Sequence, residues 1–298
     1  MTTDETEVAT MPAYHIPLPG SLRLRLLGIS ILLALPLLLS SVATATQPIR
    51  FAPLPMESRE VIVRAFNPLV AYLEKQLQDP VEMVYFDDRQ EILTAFEQDE
   101  LDLVFLGPLP YVALRQRMPE VEPLVFFMEP AGDARYRCAL ITFFGDDIVL
   151  SELRGQPFGL TSRLSTCGYL GAEAMVRDHA DLSLKDIAYR YLGTHEAVIF
   201  AVVRGEVVAG SVKDEFAHKY APLGITIRAY SDWVPATGLF ANARTLDADH
   251  IQRIRSILLA TPPEEFDQWG VTIRHGMAPA SDDAYAGFRE FGDPAEIP

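Results

Sequence analysis

The 298-residue sequence holds only two cysteines, Cys138 and Cys167, and is short of positive charge, with 25 Lys and Arg against 41 Asp and Glu. Two cysteines exclude a disulfide-built miniprotein and a four-cysteine zinc site. A net charge of -16 speaks against a general nucleic-acid binder, because neutralising phosphates takes clustered Lys and Arg. No block of like charge is long enough to be an interaction tail. No repeat of a solenoid's period and no heptad pattern occurs, so a monomer is the default. The motifs G-x-S-x-G, H-E-x-x-H and G-x-x-x-x-G-K-[ST] are missing too, and with them any ready mechanism for an enzyme. No cofactor motif stands out.

What is present is a foldable chain, 49% hydrophobic and 22% charged, long enough for two lobes or one large α/β domain. Residues 26–40 form one apolar run, LLGISILLALPLLLS, behind Arg23 and Arg25 and ahead of Ala43-Thr44-Ala45. A basic start, a short apolar stretch and an A-x-A site describe a secretory signal peptide. Cleavage is expected after Ala45, with residues 1–45 removed and the mature protein in the periplasm. The run is short for a bilayer span, which takes roughly 20 apolar residues, although an uncleaved anchor is the alternative. No cysteine follows the run to carry a lipid. Removal of residues 1–45 leaves 23 basic and 38 acidic residues, a net charge of -15. In an exported chain, Cys138 and Cys167 can form a disulfide. Whether they do depends on how close the fold brings their Cα atoms.

Beyond the leader, strand and helix patterns alternate. A strand at 47–51 precedes a helix at 58–77, whose apolar residues Val61, Ile62, Phe66, Leu69, Val70 and Leu73 recur at helical spacing. Ser58 stands where an N-cap belongs and Pro80 beyond its end. Strand patterns at 81–86, 101–106, 136–144, 156–160, 187–192, 207–212 and 225–230 alternate with helices at 89–98, after Gly107-Pro108, and at 169–178, 195–204, 213–220 and 247–260. Such alternation predicts an α/β fold with mostly parallel sheets covered by helices. In such folds ligands sit at strand ends and helix N-termini.

Five segments in order resemble the phosphonate/phosphate-type periplasmic substrate-binding proteins of ABC transporters. They are Phe66-Asn67-Pro68-Leu69; Leu101-Asp102-Leu103-Val104-Phe105-Leu106-Gly107-Pro108 with Tyr111; Leu153-Arg154-Gly155 with Ser165-Thr166-Cys167-Gly168-Tyr169; Gly193-Thr194-His195-Glu196; and Val234-Pro235. The resemblance spans roughly residues 48–290. It implies a type 2 periplasmic-binding-protein fold: two lobes, two crossover strands and a ligand cleft between the lobes. By that analogy one lobe is 48–135 plus 235–298 and the other 136–234.

The residues themselves fit an anion site. Ser165-Thr166-Cys167-Gly168 falls between a strand and a helix, where unpaired amides, two hydroxyls and a close-approaching glycine can face an oxyanion. The same segment also reads as an ordinary N-cap. His195, with Thr194 before it, opens another helix and can donate from its ring. Tyr111 can wall the cleft and donate its hydroxyl, or belong to the core. Glu215 can meet a cationic group on a ligand or face solvent. Asp87-Asp88-Arg89 departs from the resembled pattern, which has a tyrosine where Asp88 stands. A carboxylate facing a phosphonate repels it. Either Asp88 points away, Arg89 turns inward, or the ligand is no plain phosphonate.

The expectation is a binding protein, not an enzyme. It would capture a small oxyanion such as phosphonate, phosphite or phosphate and present it to an ABC permease of the inner membrane. A sensor reporting to a membrane kinase would share the same cleft. A hydrolase with Ser165 as nucleophile, His195 as base and Asp214 or Asp232 as orienting acid is the remaining alternative.

Overall fold

The computed structural model describes residues 47–146, 148–291 and 297–298; the expected targeting segment, 1–45, lies outside the described residues. The chain runs through β1 (Ile49–Ala52), α1 (Arg59–Leu77), β2 (Val81–Met83), α2 (Arg89–Glu97), β3 (Leu103–Leu106), α3 (Pro108–Arg117) and β4 (Val121–Phe127). Next come β5 (Arg135–Tyr136), β6 (Cys138–Phe143), β7 (Pro157–Leu160), α4 (Tyr169–Ala180), β8 (Ala188–Tyr191), α5 (His195–Val203), β9 (Ala209–Lys213), α6 (Asp214–Lys219) and β10 (Ile225–Tyr230). It closes with β11 (Val234–Pro235), β12 (Gly238–Asn242), α7 (Ala248–Leu259) and β13 (Met277–Pro279).

Local chemistry sets the helix ends that matter for the site. Asp88 Oδ1 accepts from the Gln90 amide at 2.6 Å and starts α2. Thr194 Oγ1 does the same for the Ala197 amide of α5 at 3.0 Å. Gly107 and Pro108 open α3, where proline loses nothing because its missing N–H would be an orphan. Ser58 stands at the N-cap position of α1 without a side-chain cap, and Gln78 ends that helix in the left-handed region at φ 60°.

The strands assemble into a six-stranded sheet, ordered β13-β4-β12-β3-β1-β2, and a five-stranded sheet, ordered β10-β6-β9-β7-β8. Each is the core of one lobe. The first lobe is held by an aromatic chain, Phe51–Phe66–Phe105–Phe127, with ring centroids 5.7, 5.0 and 5.4 Å apart. In the second, α5 lies close on the sheet because Gly210 has no side chain; a Cβ there would stand 2.5 Å from Val198 Cγ1. The crossover strands β5 and β11 pair with each other antiparallel, Tyr136 with Val234 and Arg135 with Pro235.

The sheets are mixed, not mostly parallel. β1–β2, β1–β3, β7–β8 and β7–β9 are parallel. β12 and β13 in one sheet, and β6 and β10 in the other, pair antiparallel. The chain leaves and re-enters each lobe through the crossovers, and the strands at those crossings reverse the sheet's direction. The sequence pattern also missed β4, β12 and β13. Pro123 and a shift in register between β4 and β12 break the strand signal of β4. The strand expected over 136–144 is divided at Arg137, whose guanidinium turns out to stack on Tyr230 and Trp233, 3.8 and 4.7 Å from their ring centroids.

Candidate anion-binding site

A small cavity lies between the lobes, with Arg89, Ser165, Thr166, Cys167 and His195 in its wall beside Tyr136, Lys213 and Thr237. α2 and the loop before α3 approach from the first lobe. The β7–α4 loop, the start of α5 and the end of β9 approach from the second. Tyr136 and Thr237 come from the two crossovers. Contacts across the cleft hold the lobes together here. The Leu109 amide donates to Thr166 Oγ1 at 3.1 Å and the His195 amide to the Met56 carbonyl at 3.1 Å. Glu57 accepts from Lys219 and from the Tyr220 hydroxyl, the latter at 2.8 Å.

Arg89 dominates the electrostatics. Asp88 is occupied with capping α2, so its carboxylate is committed there and the guanidinium next to it turns inward, only 3% exposed. Nη1 donates to Ser162 Oγ and the Gly193 carbonyl, both at 2.8 Å, across the cleft. Nε and Nη2 are buried with no partner. Burial pushes the guanidinium down to about 10, so it remains a cation at neutral pH. A buried cation with two unmet donors is costly unless an anion completes it.

The β7–α4 loop supplies hydroxyls more than amides. The Ser165 and Gly168 amides are spent on the Ser162 and Ser165 carbonyls at 3.1 and 2.8 Å, and the Gly171 amide on the Thr166 carbonyl. A Cβ on Gly168 would run into the Ser162 carbonyl oxygen, so only glycine allows this turn. Ser165 and Thr166 line the cavity, and the Tyr136 hydroxyl lies against Thr166. Cys167 is bonded to Cys138 with Cα atoms 5.2 Å apart. Its thiol is therefore no donor, and its carbonyl accepts from Ser211 Oγ at 2.7 Å.

His195 is buried, stacked on Phe216 with ring centroids 4.7 Å apart. Nδ1 accepts from the Lys213 amide at 3.2 Å, which leaves the proton on Nε2. Burial, and then the charges of Arg89 and Lys213, hold the ring well below its usual titration range, so it is a neutral donor. The same tautomer overturns the hydrolase alternative. A main-chain N–H stands where an orienting carboxylate would have to be, and Nε2 carries its own proton.

Lys213 was not anticipated. Its ammonium is 2% exposed and bridges Glu129 and Glu215, each at 2.8 Å. Burial raises Glu129 to about 7, and the Glu215 charge adds to the rise against the pull of Lys213. The two carboxylates keep the ammonium charged in spite of its burial. Glu215 is thus an internal partner of Lys213, neither a solvated helix residue nor part of the cavity wall.

Tyr111 also departs from expectation. It is fully buried, donates to Asp282 and stacks on Phe240 at 4.5 Å. The start of α3 meets the cleft, but the Tyr111 side chain, three residues on, packs on Phe240 of the sheet. Thr194 caps α5 and does not line the cavity. The helix starts offer fewer free amides than their number implied. α3 begins with two prolines and gives its Leu109 amide to Thr166, while α5 gives the His195 amide to Met56. Side chains replace them. Of the three unanticipated wall residues, Tyr136 and Thr237 flank the crossovers, and Thr237 Oγ1 is buried without a partner. Val234-Pro235 was the one sequence signal that pointed near them.

Two lobes, two paired crossover strands and a cleft walled by donors from both lobes define a type 2 periplasmic-binding-protein fold. The chain belongs to the family described as ABC transporter, phosphonate, periplasmic substrate-binding protein, whose profile matches residues 51–285. That is a family of binding components, not of enzymes. The chain is 25% identical over 184 residues to the phosphate-import protein PhnD of Mycolicibacterium smegmatis, a match spanning 58% of this chain and 57% of that protein. Its fold is similar to PhnD1 of Prochlorococcus marinus in complex with methylphosphonate, with a TM-score of 0.71, 18% identity, and coverage of 82% of this chain and 96% of that one. It is similar also to a binding-protein component of an ABC phosphonate transporter from Pseudomonas aeruginosa, with a TM-score of 0.74, 18% identity, and coverage of 82% and 85%. Among the described residues no helix is long and apolar enough to cross a membrane.

Proposed function

We propose that the protein captures a small tetrahedral oxyanion, a phosphonate, phosphite or phosphate group, between its lobes and presents it to an ABC permease of the inner membrane. It does so as a monomer in the periplasm, after export and loss of residues 1–45. The lobes run as 48–135 plus 235–298 and as 136–234, with the crossovers as the hinge. The observation that carries this reading is Arg89, a buried cation whose Nε and Nη2 have no partner in the protein. An oxyanion accepts from both, with His195 Nε2 and the hydroxyls of Ser165, Thr166 and Thr237 as further donors. The cavity, about 20 Å³, holds little more than one water-sized sphere. The lobes therefore part to admit the anion and re-close around it.

The surface charge of -15 for the processed chain does not oppose this capture, because charge beyond about 8 Å is screened at physiological salt. Calorimetry of the mature protein with methylphosphonate, phosphite, phosphate and sulfate tests the reading. Saturable 1:1 binding of at least one phosphorus oxyanion is the expected result. A folded protein that is silent to all of them overturns it.

A further inference from the structure

Beside the inner cavity the two lobes meet a second time. Met56 and His195 stand in the cavity wall, and the His195 amide donates to the Met56 carbonyl at 3.1 Å. The next residue on each side is a carboxylate, Glu57 from the segment between β1 and α1 and Glu196 from α5. Neither lines the cavity. Tyr220, at the end of α6, places its hydroxyl between them, 2.8 Å from Glu57 Oε1 and 2.9 Å from Glu196 Oε1. Burial, and then the two carboxylates, hold the phenol above its usual range, so it stays a donor. Lys219 bonds to the same buried Glu57. Glu196 Oε2 accepts from the Ser58 amide at 3.1 Å. Ser58 is the N-cap of α1, and in a capping box its amide is met by a Glu or Gln three residues on. Val61 stands there and cannot accept, so the carboxylate comes from the opposite lobe. Glu196 thereby brings a negative charge to the positive end of a helix in the other lobe.

We propose that Glu57, Ser58, Glu196, Lys219 and Tyr220 form a latch across the cleft that sets how long a captured oxyanion is held. They are positioning residues: each bonds the opposite lobe and none touches the guest. This rests on the oxyanion reading above and adds to it the place where release is decided. Because the two carboxylates directly follow Met56 and His195, the movement that brings these walls together also makes the latch. Parting the lobes returns its members to water and leaves the Ser58 amide without its carboxylate.

The test is Tyr220→Phe in the mature protein, with methylphosphonate, phosphite and phosphate as ligands. Calorimetry gives affinity and stoichiometry. Rapid mixing, read by the fluorescence of Trp233 next to β11, gives the two rates. In Tyr220→Phe the stoichiometry stays at one and affinity falls about tenfold, as suits a lost hydrogen bond to a charged group. The loss lies in faster release, with association no more than about twofold slower. Glu196→Ala repeats the effect, and Glu196→Gln, which keeps an acceptor for the Ser58 amide, recovers most of it. Affinity within about twofold of wild type in Tyr220→Phe, or a loss carried by slower association or a lower stoichiometry, overturns the latch and leaves the oxyanion reading intact. A folded wild-type protein silent to all three ligands overturns the oxyanion reading and the latch with it.

Discussion

Replacing Arg89 with methionine should move stability and affinity in opposite directions. Burial pushes the guanidinium from its ordinary, higher value down to about 10, which corresponds to about 3 kcal/mol that folding loses by keeping it charged. The sign follows from linkage: a base with a depressed folded value is penalised at every pH below it, so the whole cost is present at pH 7. It fades only as pH rises beyond about 10. Methionine fills similar volume, removes the cost and gives up the two Nη1 bonds to Ser162 Oγ and the Gly193 carbonyl. Both acceptors can turn to water at the cleft mouth. The net gain is about 1 kcal/mol, a Tm rise of about 2–4 °C for a domain of this size. Binding should suffer the opposite fate. Truncating one side of a buried charged pair costs about 2–5 kcal/mol, so oxyanion affinity falls at least about thirtyfold. Thermal unfolding with and without methylphosphonate reads both effects together. A variant that is less stable than the parent, or that binds within threefold of it, would show that Arg89 braces the cleft and does not hold the ligand.

Four other changes follow from the same geometry. His195 is held neutral in the fold, so the native protein loses stability as pH falls below about 6.5, where the unfolded ring takes up a proton. His195→Asn should lessen that acid loss in melts between pH 8 and 5, and an unchanged difference from wild type would contradict it. Joint replacement of Cys138 and Cys167 by alanine opens a loop of 29 residues' separation. It should lower stability by about 3 kcal/mol in denaturant titrations, and a loss below 1 kcal/mol would mean that the bridge adds little. Lys213→Met strands the Glu129 and Glu215 carboxylates and should cost about 3–5 kcal/mol, with the Glu129→Gln, Lys213→Met, Glu215→Gln triple variant recovering most of it. Thr237→Val removes an unpartnered buried hydroxyl. It should leave Tm level or higher while weakening oxyanion binding about fivefold, and tight binding by that variant would remove Thr237 from the site.

The sequence carried the local part of this architecture and missed the long-range part. α1 and α7 could be read from apolar spacing, because the signals lie within a few residues. Ser165 and Thr166 read locally as donors at a helix start, the resemblance to the family favoured a ligand role for them and for His195, and all three line one cavity. An inward-turned Arg89 is one of three readings that the sequence allows, and Asp88 decides among them by capping α2. Lys213, Tyr136 and Thr237 had no local signature. Their roles arise where strands from distant parts of the chain end beside each other. Tyr111 and Glu215 failed for the converse reason: each had the right chemistry near a helix start, but Asp282 and Lys213 had already claimed it. The mixed sheets were hidden because direction is set by connections that no window of sequence contains.

If the paired crossovers are the pivot of the proposed closure, the placement of Tyr136 and Thr237 beside the cavity gives that pivot a sensory role. A residue on each connecting segment would then border the guest, so that rotation of one half against the other changes the enclosure from within. Guest recognition and the angle between the halves would thereby be read by the same two side chains. A substitution at either one should alter how far the jaws swing as well as how tightly they hold.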